Sequence, residues 1–336
     1  MNQTSNSEHF LVSISPIGSF VYGIILSLLS ILTLLGNSLV CLAIWRFRNL
    51  RNLTNYLVCS LACADLLVPL LRVIYVVISV FAGEWLFGET WCGISSMCGV
   101  LLCGASILHL CVITIERLVA IKWPLSYNIM VTRNRIVISL VYIWIQSIIL
   151  ALFPLLGLVK HRFNPVLAEC ALYWQDQATF AILITAFYFL VPVTIMLVAY
   201  AIIFKEVRRN SRRISAIHYG GAQNDSNRFT REKKAVKTLA VVVGVFFLMW
   251  MPYFVTTPLR AFQGDSSVPD AVLRIAITLA YGNSCCNFVI YSLMNSQLRN
   301  AFCRIIKRCC GQSRLQLDST RAVELSTIGK TKNTGK

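Results

Sequence analysis

Charged residues are scarce in this 336-residue chain, at 13% against about 25% in soluble domains. Apolar residues make up 57%, more than a water-soluble fold can bury. Of seven long apolar stretches, six contain no Asp, Glu, Lys or Arg, and each can supply the roughly 20 helical residues that cross a bilayer. Because lipid cannot hydrogen-bond a backbone, we predict an all-α integral membrane protein, a seven-transmembrane helix bundle. The predicted spans are 17–45, 53–81, 91–115, 136–159, 177–204, 238–259 and 275–298.

The sequence also lacks the usual motifs of enzyme active sites. It has no glycine-rich phosphate loop, no His/Cys set at metal-binding spacing and no nucleophile–base motif, and its four histidines are scattered. We therefore expect no enzyme, and no cofactor apart from an ion. An ion-coupled transporter or channel that uses Asp65 as an ion site is an alternative, although the paired halves of many transporters are missing.

Basic residues are concentrated on one side of the predicted bundle. Of the 31 Lys and Arg, 26 fall in the loops 46–52, 116–135 and 205–237 or after residue 298. The positive-inside rule then places the N-terminus outside and the C-terminus in the cytoplasm of a multi-pass plasma-membrane protein. We interpret the net charge of +17 as a topology signal that also favours anionic lipid, not as a nucleic-acid-binding surface.

The two ends of the chain differ in character. Residues 1–16 are polar and predict an extracellular segment with a glycosylation sequon at Asn2. Residues 17–298 predict one seven-transmembrane domain, 299–310 predict an amphipathic helix on the membrane surface, and 311–336 predict a disordered cytoplasmic tail. Cys309 and Cys310 follow the amphipathic stretch and are either palmitoylated or free thiols.

One acid and one base lie inside the predicted spans, Asp65 and Arg72, and they indicate function because ionisable groups in lipid are costly. Asp65 lies in the second span and needs donors, a cation or a proton. Its carboxylate with amide and hydroxyl oxygens predicts a hard-cation site, or alternatively a polar cluster that holds helices together. The candidate partners are Asn37, Ser106, Asn283, Ser284 and Asn287.

Short motifs in all seven spans, in order, are similar to those of one family. The chain resembles the rhodopsin-like (class A) G-protein-coupled receptors, and within them the adenosine and biogenic-amine receptors. The similarity runs from about residue 20 to 310. It is carried by Gly36-Asn37, Leu61-Ala62-Cys63-Ala64-Asp65, Trp144, Pro192, Tyr200, Phe246-Phe247-Leu248-Met249-Trp250-Met251-Pro252 and Asn287-Phe288-Val289-Ile290-Tyr291.

The resemblance implies a conformational switch that activates a heterotrimeric G protein when an extracellular small molecule binds. It also implies arrestin and receptor kinases as partners, a sodium ion at Asp65, and a disulfide between Cys92 and Cys170. Arg117, next to Glu116, would pair with Glu232 in the resting state and be released on activation. The other implied switch residues are Ile107, Pro192, Phe246, Trp250, Tyr200 and Tyr291.

Two positions depart from the family pattern. Leu118 replaces the tyrosine of the third-span motif, and Phe288 replaces the proline of the seventh-span motif. The second change predicts a weaker kink, and with it an altered set point or impaired signalling. A receptor-like protein that binds without signalling is therefore a further alternative.

The ligand class is open at this stage: nucleoside-like, amine-like or anionic. Gly99 stands where amine receptors have their ligand-binding aspartate, and Thr257 where adenosine receptors have an asparagine. Arg72 lies two helical turns outside Asp65, and its guanidinium could bind a carboxylate or phosphate; alternatively it extends to the membrane surface or pairs with Glu84 or Glu89. We expect Arg72→Leu to abolish the response and leave surface expression intact. The predicted pocket is Arg72, Gly99, Trp250, Tyr253, Phe254, Thr257 and Tyr281.

Overall fold

The computed structural model describes residues 16–175, 177–217 and 223–309. Within these residues, seven helices are long and apolar enough to cross a membrane, which confirms the predicted fold class. The helices are α1 (Pro16–Arg46), α2 (Leu53–Val68), α3 (Ile74–Ala82), α4 (Gly88–Lys122), α5 (Tyr127–Met130), α6 (Arg133–Leu155), α7 (Ala178–Thr185), α8 (Val191–Ile217), α9 (Gln223–Gln263), α10 (Asp270–Met294) and α11 (Ser296–Cys309).

Two of the spans are built from two α-helices joined by a π-helical turn. Pro69–Val73 joins α2 to α3 in the second span, and Ala186–Leu190 joins α7 to α8 in the fifth. A π turn adds a residue to the helix and so changes which side chains face the bundle interior. Both turns contribute to the cavity described below, through Arg72 and Tyr188 respectively.

The third span, α4, lies at the centre of the bundle. It packs against α2, α6 and α8 as well as the outer loop, and much of its surface is buried. His109 on this helix is hydrogen-bonded to the Ala105 carbonyl and the Ser60 hydroxyl, and the Trp144 indole donates to that same hydroxyl. Spans two, three and four are therefore tied together by polar contacts inside an otherwise apolar core.

The fourth span ends earlier than predicted. The helix stops at Leu155 instead of continuing to residue 159, and Gly157 follows with a φ of 72°, a left-handed conformation that glycine adopts without steric cost. The chain then forms a hairpin of β1 (His161–Asn164) and antiparallel β2 (Glu169–Leu172). This hairpin belongs to the outer loop, and apolarity alone did not reveal it.

The hairpin is attached to the bundle by covalent and polar contacts. The Cys92–Cys170 disulfide joins β2 to the outer end of α4. The Arg274 guanidinium donates to the Val166 carbonyl at 2.7 Å. Arg162 on β1 and Arg260 on α9 both bind the Asp265 carboxylate at 2.7 Å. The outer loop is therefore held over the bundle at three separate points.

The amphipathic helix after the seventh span is present as α11. The Asn295 side chain accepts hydrogen bonds from the backbone of Gln297 and Leu298 at its start, as expected of a helix cap. Leu298 and Phe302 are buried, whereas the basic residues of this helix lie on its exposed side. Cys310, the Cys309 side chain and Asn2 lie outside the described residues, so the proposed modifications there stay predictions.

Phe288, which replaces the family's proline, packs against Gly36 of α1. A Cβ atom added at Gly36 would overlap the Phe288 ring. The seventh span accordingly continues as a single helix, Asp270–Met294, without a proline kink at this position. The aromatic ring and the glycine opposite it form one packing unit between the first and seventh spans.

We expect Gly36→Ala to destabilise the receptor by about 1–3 kcal/mol, because the added methyl group overpacks this contact. The melting temperature of the purified protein measures the effect. Gly36→Ala/Phe288→Ala should recover most of the loss, whereas Gly244→Ala, which meets nothing within 4 Å, should cost little. Equal losses at Gly36 and Gly244 would contradict this assignment.

Candidate functional site

An open cavity of about 590 Å³, counted with the solvent at its mouth, lies between the spans beneath the hairpin. The Trp250 and Phe254 rings, whose centroids are 5.6 Å apart, form part of its wall. Apolar and aromatic side chains dominate the lining, which is typical of small-molecule sites. The lining residues are Arg72, Ser96, Gly99, Val100, Cys103, Gly104, Ile107, Ala171, Leu172, Trp174, Ile184, Tyr188, Trp250, Tyr253, Phe254, Ile277, Ala280 and Tyr281.

Arg72 is the charged residue among these lining side chains, and all three of its guanidinium nitrogens are engaged. Nε donates to the Tyr281 hydroxyl at 2.7 Å, and Nη1 donates to the Ser95 carbonyl at 2.8 Å. Nη2 lies 3.2 Å from Oε2 of Glu169. Arg72 is buried, so it neither extends to the membrane surface nor pairs with Glu84 or Glu89, the partners considered from the sequence.

Glu169, the ion-pair partner of Arg72, was not predicted as a site residue from the sequence. It begins β2, directly before the disulfide-bonded Cys170, and its side chain is only 2% exposed. Its carboxylate accepts a hydrogen bond from the Tyr281 hydroxyl and the ion pair from Arg72. The available signal was an acid adjacent to a loop cysteine, since a disulfide to the third span places its neighbours over the cavity.

Gly99 makes room for the Arg72 side chain. A Cβ atom at Gly99 would lie 2.5 Å from Nη1 of Arg72 and 2.8 Å from its Cζ, closer than real Cβ contacts allow. The absence of a side chain at position 99 therefore permits the guanidinium to occupy this part of the cavity. The Arg72 guanidinium therefore lies beside position 99, at which amine receptors have an aspartate according to the resemblance.

Most of the predicted pocket residues line the cavity, with one exception. Arg72, Gly99, Tyr253 and Tyr281 do so, together with Trp250 and Phe254. Thr257 is buried but is not among the side chains that line the cavity, so its place in the pocket stays a prediction. Ala171, Leu172 and Trp174 supply the outer wall instead, because the hairpin projects over the cavity.

The polar cluster around Asp65 lies deeper in the bundle. Its carboxylate is fully buried and accepts from the Ser106 hydroxyl at 3.1 Å and the Asn287 amide at 2.8 Å. Asn37 instead donates to the backbone carbonyls of Thr33 and Ser284. The Asn283 amide nitrogen is buried without a partner among the described residues, so the structure does not join it to Asp65.

Arg117 is held at the inner end of α4 by its neighbours. Its Nε donates to Glu116 Oε2 at 2.7 Å, and its Nη2 donates to the Thr54 hydroxyl. Glu116 also accepts from Thr54 at 2.9 Å and from the Tyr127 hydroxyl. The predicted partner Glu232 lies in α9, but its side chain lies outside those that the structure describes, so that pairing stays a prediction.

Tyr127 closes this network from the inner loop. Burial, and after it the hydrogen bond to Glu116, raises the pKa of the Tyr127 hydroxyl above its ordinary value. The phenol therefore stays protonated at neutral pH and can donate to the carboxylate. Neither Thr54 nor Tyr127 was predicted, since their relation to Arg117 depends on how the loop packs against spans two and three.

The remaining predicted switch residues are distributed over the third, fifth, sixth and seventh spans. Ile107 and Phe246 are almost fully buried, and Pro192 is buried near the middle of the fifth span. The Tyr200 ring stacks on Phe204. The buried Tyr291 hydroxyl makes no hydrogen bond with any described residue, so the structure does not join it to Arg117.

Comparison with known proteins agrees with this geometry. The family model described as 7 transmembrane receptor (rhodopsin family) matches residues 36–291. The human histamine H2 receptor is 35% identical over 292 residues, covering 85% of this chain and 79% of its own. The mouse alpha-1A adrenergic receptor is 31% identical over 340 residues, covering 92% and 72% respectively. The crystal structure of squid rhodopsin has the same fold, with a TM-score of 0.78 at 22% identity over 89% of each chain.

These matches cover the seven spans, the hairpin disulfide and the inner end of the third span together. They also favour a receptor over the transporter or channel alternative, and they place the protein in the plasma membrane as a multi-pass chain. The chain therefore belongs to the rhodopsin family of seven-transmembrane receptors, the class A G-protein-coupled receptors.

Proposed function

We propose that an extracellular small molecule binds in the cavity beside Arg72 and drives G-protein activation at the inner end of the bundle. The observation that carries this proposal is a shared helix. Ile107 on α4 lines the cavity, and its neighbour Ser106 binds the Asp65 carboxylate. Arg117 lies at the inner end of that same helix. A ligand that fits the cavity better in the active packing shifts the population toward that packing. The signalling protein needs no chemistry of its own for this.

The proposal is tested with the purified receptor in lipid nanodiscs and a set of heterotrimeric G proteins. The receptor should accelerate nucleotide exchange on at least one of them, and Arg117→Ala should remove the acceleration without lowering the melting temperature greatly. A receptor that binds ligand but leaves exchange on every G protein unchanged would instead support the non-signalling alternative that Phe288 suggested.

Neutralising Glu116 should raise basal signalling. Glu116→Gln removes the charge that holds Arg117, and a change of about 1 kcal/mol in the balance between two packings is a roughly fivefold change in their ratio. We expect basal nucleotide exchange to rise by about that factor. Glu206→Gln, at the cytoplasmic end of the fifth span, is the control. Unchanged or lower basal exchange in Glu116→Gln would count against the network as a restraint.

The cavity favours a ligand with an anionic group. The relatives named above include a histamine receptor, yet Gly99 offers no carboxylate in the third span, whereas Arg72 presents a guanidinium to the cavity. A guanidinium binds carboxylates and phosphates, and an anionic ligand would take the place of Glu169 on Nη2 of Arg72. Neither an amine of the usual kind nor a nucleoside would use this group, so the anionic class is preferred among the three.

We further propose that a sodium ion binds at Asp65 and favours the inactive packing. Hard cations prefer carboxylate, hydroxyl and amide oxygens, and the residues around Asp65 provide them. The Ser106 hydroxyl and the Asn287 amide are hydrogen-bonded to the buried Asp65 carboxylate. These three groups carry the oxygen atoms that such an ion needs as ligands. Asp65, Ser106 and Ser284 would hold it, with Asn287 nearby, and the ion would supply a charge that compensates the carboxylate.

The surroundings of the receptor follow from its topology. We propose that the N-terminus is extracellular and carries glycan at Asn2, and that the C-terminus is cytoplasmic. Palmitoylation of Cys309 and Cys310 would anchor the end of α11, whose basic face suits anionic lipid. Arrestin and receptor kinases would act on the same inner surface as the G protein.

A further inference from the structure

We propose that the ligand of this cavity is a zwitterion, an α-amino acid with an aromatic or other large apolar side chain. Its carboxylate takes the place of Glu169 on Arg72, and its ammonium group takes the place of Arg72 on Glu169. The inference rests on the proposed function, because it names the ligand class of that same cavity.

The charge balance of the buried pair selects this class. Arg72 and Glu169 are 8% and 2% exposed, and a buried charge that loses its partner is strongly destabilised. A ligand that carries only a carboxylate binds Arg72 but leaves Glu169 without a cation. A ligand that carries only an ammonium group binds Glu169 but leaves Arg72 without an anion. A zwitterion gives both residues an opposite charge.

The geometry of the pair fits an α-amino acid. Nη2 of Arg72 and Oε2 of Glu169 are 3.2 Å apart, so the two charges that the ligand must meet are adjacent. In an α-amino acid the ammonium and carboxylate groups are bonded to one carbon and are likewise adjacent. Tyr281, which donates to Glu169 and accepts from Arg72, can remain between them as a neutral hydrogen-bonding group.

Glu169 is also held in place to act as a cation-binding group. The Cys92–Cys170 disulfide fixes the residue next to it against the third span. This carboxylate meets Arg72 and Tyr281 from the hairpin, so a ligand reaches it through the place that Arg72 occupies. The Arg72 guanidinium lies against Gly99, and Glu169 pairs with it from the outer loop.

The rest of the cavity matches the apolar part of such a ligand. Trp250, Tyr253 and Phe254 form an aromatic wall, with ring centroids 5.4–5.9 Å apart. Ile277 and Tyr188 complete the apolar surface. An aromatic side chain packs well against such rings, whereas a small polar amino acid would leave this surface without contacts.

Three compounds with one carbon skeleton test the proposal: L-phenylalanine, phenethylamine, which lacks the carboxylate, and 3-phenylpropionate, which lacks the ammonium group. Each is added at millimolar concentration to the purified receptor in nanodiscs, and the melting temperature is measured. We expect phenylalanine to raise it by about 5 °C near saturation, and the other two to give a much smaller shift. A shift by phenethylamine or 3-phenylpropionate equal to that of phenylalanine, or no shift by any of the three, overturns the proposal.

Glu169→Gln provides the matched variant, and Glu84→Gln, an exposed outer-loop acid, provides its control. Phenylalanine should bind Glu169→Gln about 10- to 100-fold more weakly, since a charged hydrogen bond is lost, while 3-phenylpropionate should bind it no more weakly than the native receptor. An equal loss for both compounds would show a merely structural role for Glu169 and contradict the proposal. Basal nucleotide exchange on the G protein is measured in parallel, so that a functioning receptor with another ligand is told apart from one that does not couple.

Discussion

Replacing Arg72 by leucine is expected to abolish the ligand response and to destabilise the folded receptor by about 3–5 kcal/mol. The response is lost because the guanidinium is the charged group that the cavity presents to a ligand. The stability is lost because Glu169, only 2% exposed, keeps its charge without a partner. Surface expression should therefore fall as well, contrary to what the sequence suggested, because the sequence did not show that Arg72 has an internal partner.

A double variant separates these two effects. Arg72→Leu/Glu169→Gln removes the unpaired charge and should restore most of the melting temperature and of the surface expression, but not the ligand response. The single variant Glu169→Gln measures the loss of stability when Arg72 keeps its charge and its partner has none. If Arg72→Leu were as stable as the double variant, the ion pair would not be buried as described here.

Replacing Cys170 by serine is the second change with a large expected effect. Loss of a native disulfide costs about 2–5 kcal/mol in small secreted domains, and here the bond also holds β2 against the third span. Glu169 precedes Cys170 directly, so we expect Arg72 to lose its fixed carboxylate partner and the cavity to lose its outer wall. Ligand-stimulated nucleotide exchange should fall to the basal level, and the melting temperature of the purified receptor should drop.

The partner cysteine supplies the control for this prediction. Cys92→Ser should have the same effect as Cys170→Ser, and the double variant should be no worse than either, since the two residues form one bond. Cys303→Ser, at an exposed free cysteine of α11, should leave both measurements unchanged. Additive losses for Cys92 and Cys170 would mean that each side chain contributes through something other than the disulfide.

The fold was predictable from local composition. A long apolar stretch without charge can exist stably only as a helix in lipid, so the number of spans and their approximate positions could be read from the chain. The asymmetry of Lys and Arg predicts the orientation for a similarly local reason. Asp65 and Arg72 were recognised as functional candidates because a charge in such a stretch is conspicuous by itself.

Other elements could not be read in this way. The two π turns, at Pro69–Val73 and Ala186–Leu190, each add a residue within a continuous apolar stretch. The hydrophobic pattern of the sequence does not show where that extra residue lies. The hairpin is short and half-polar, and its strands are stabilised by pairing with each other and by the disulfide. Thr257 was predicted from the resemblance, and a match to a family position does not show whether a side chain reaches the cavity.

The sequence by itself determined that this chain crosses the membrane seven times and carries an acid and a base inside the bundle. Only the tertiary structure decided that the base meets Glu169 and Tyr281, the latter 209 residues away along the chain. The physical reason is that membrane insertion depends on each segment's own transfer from water to lipid. A buried ion pair depends instead on where packed helices and a cross-linked loop bring distant side chains together.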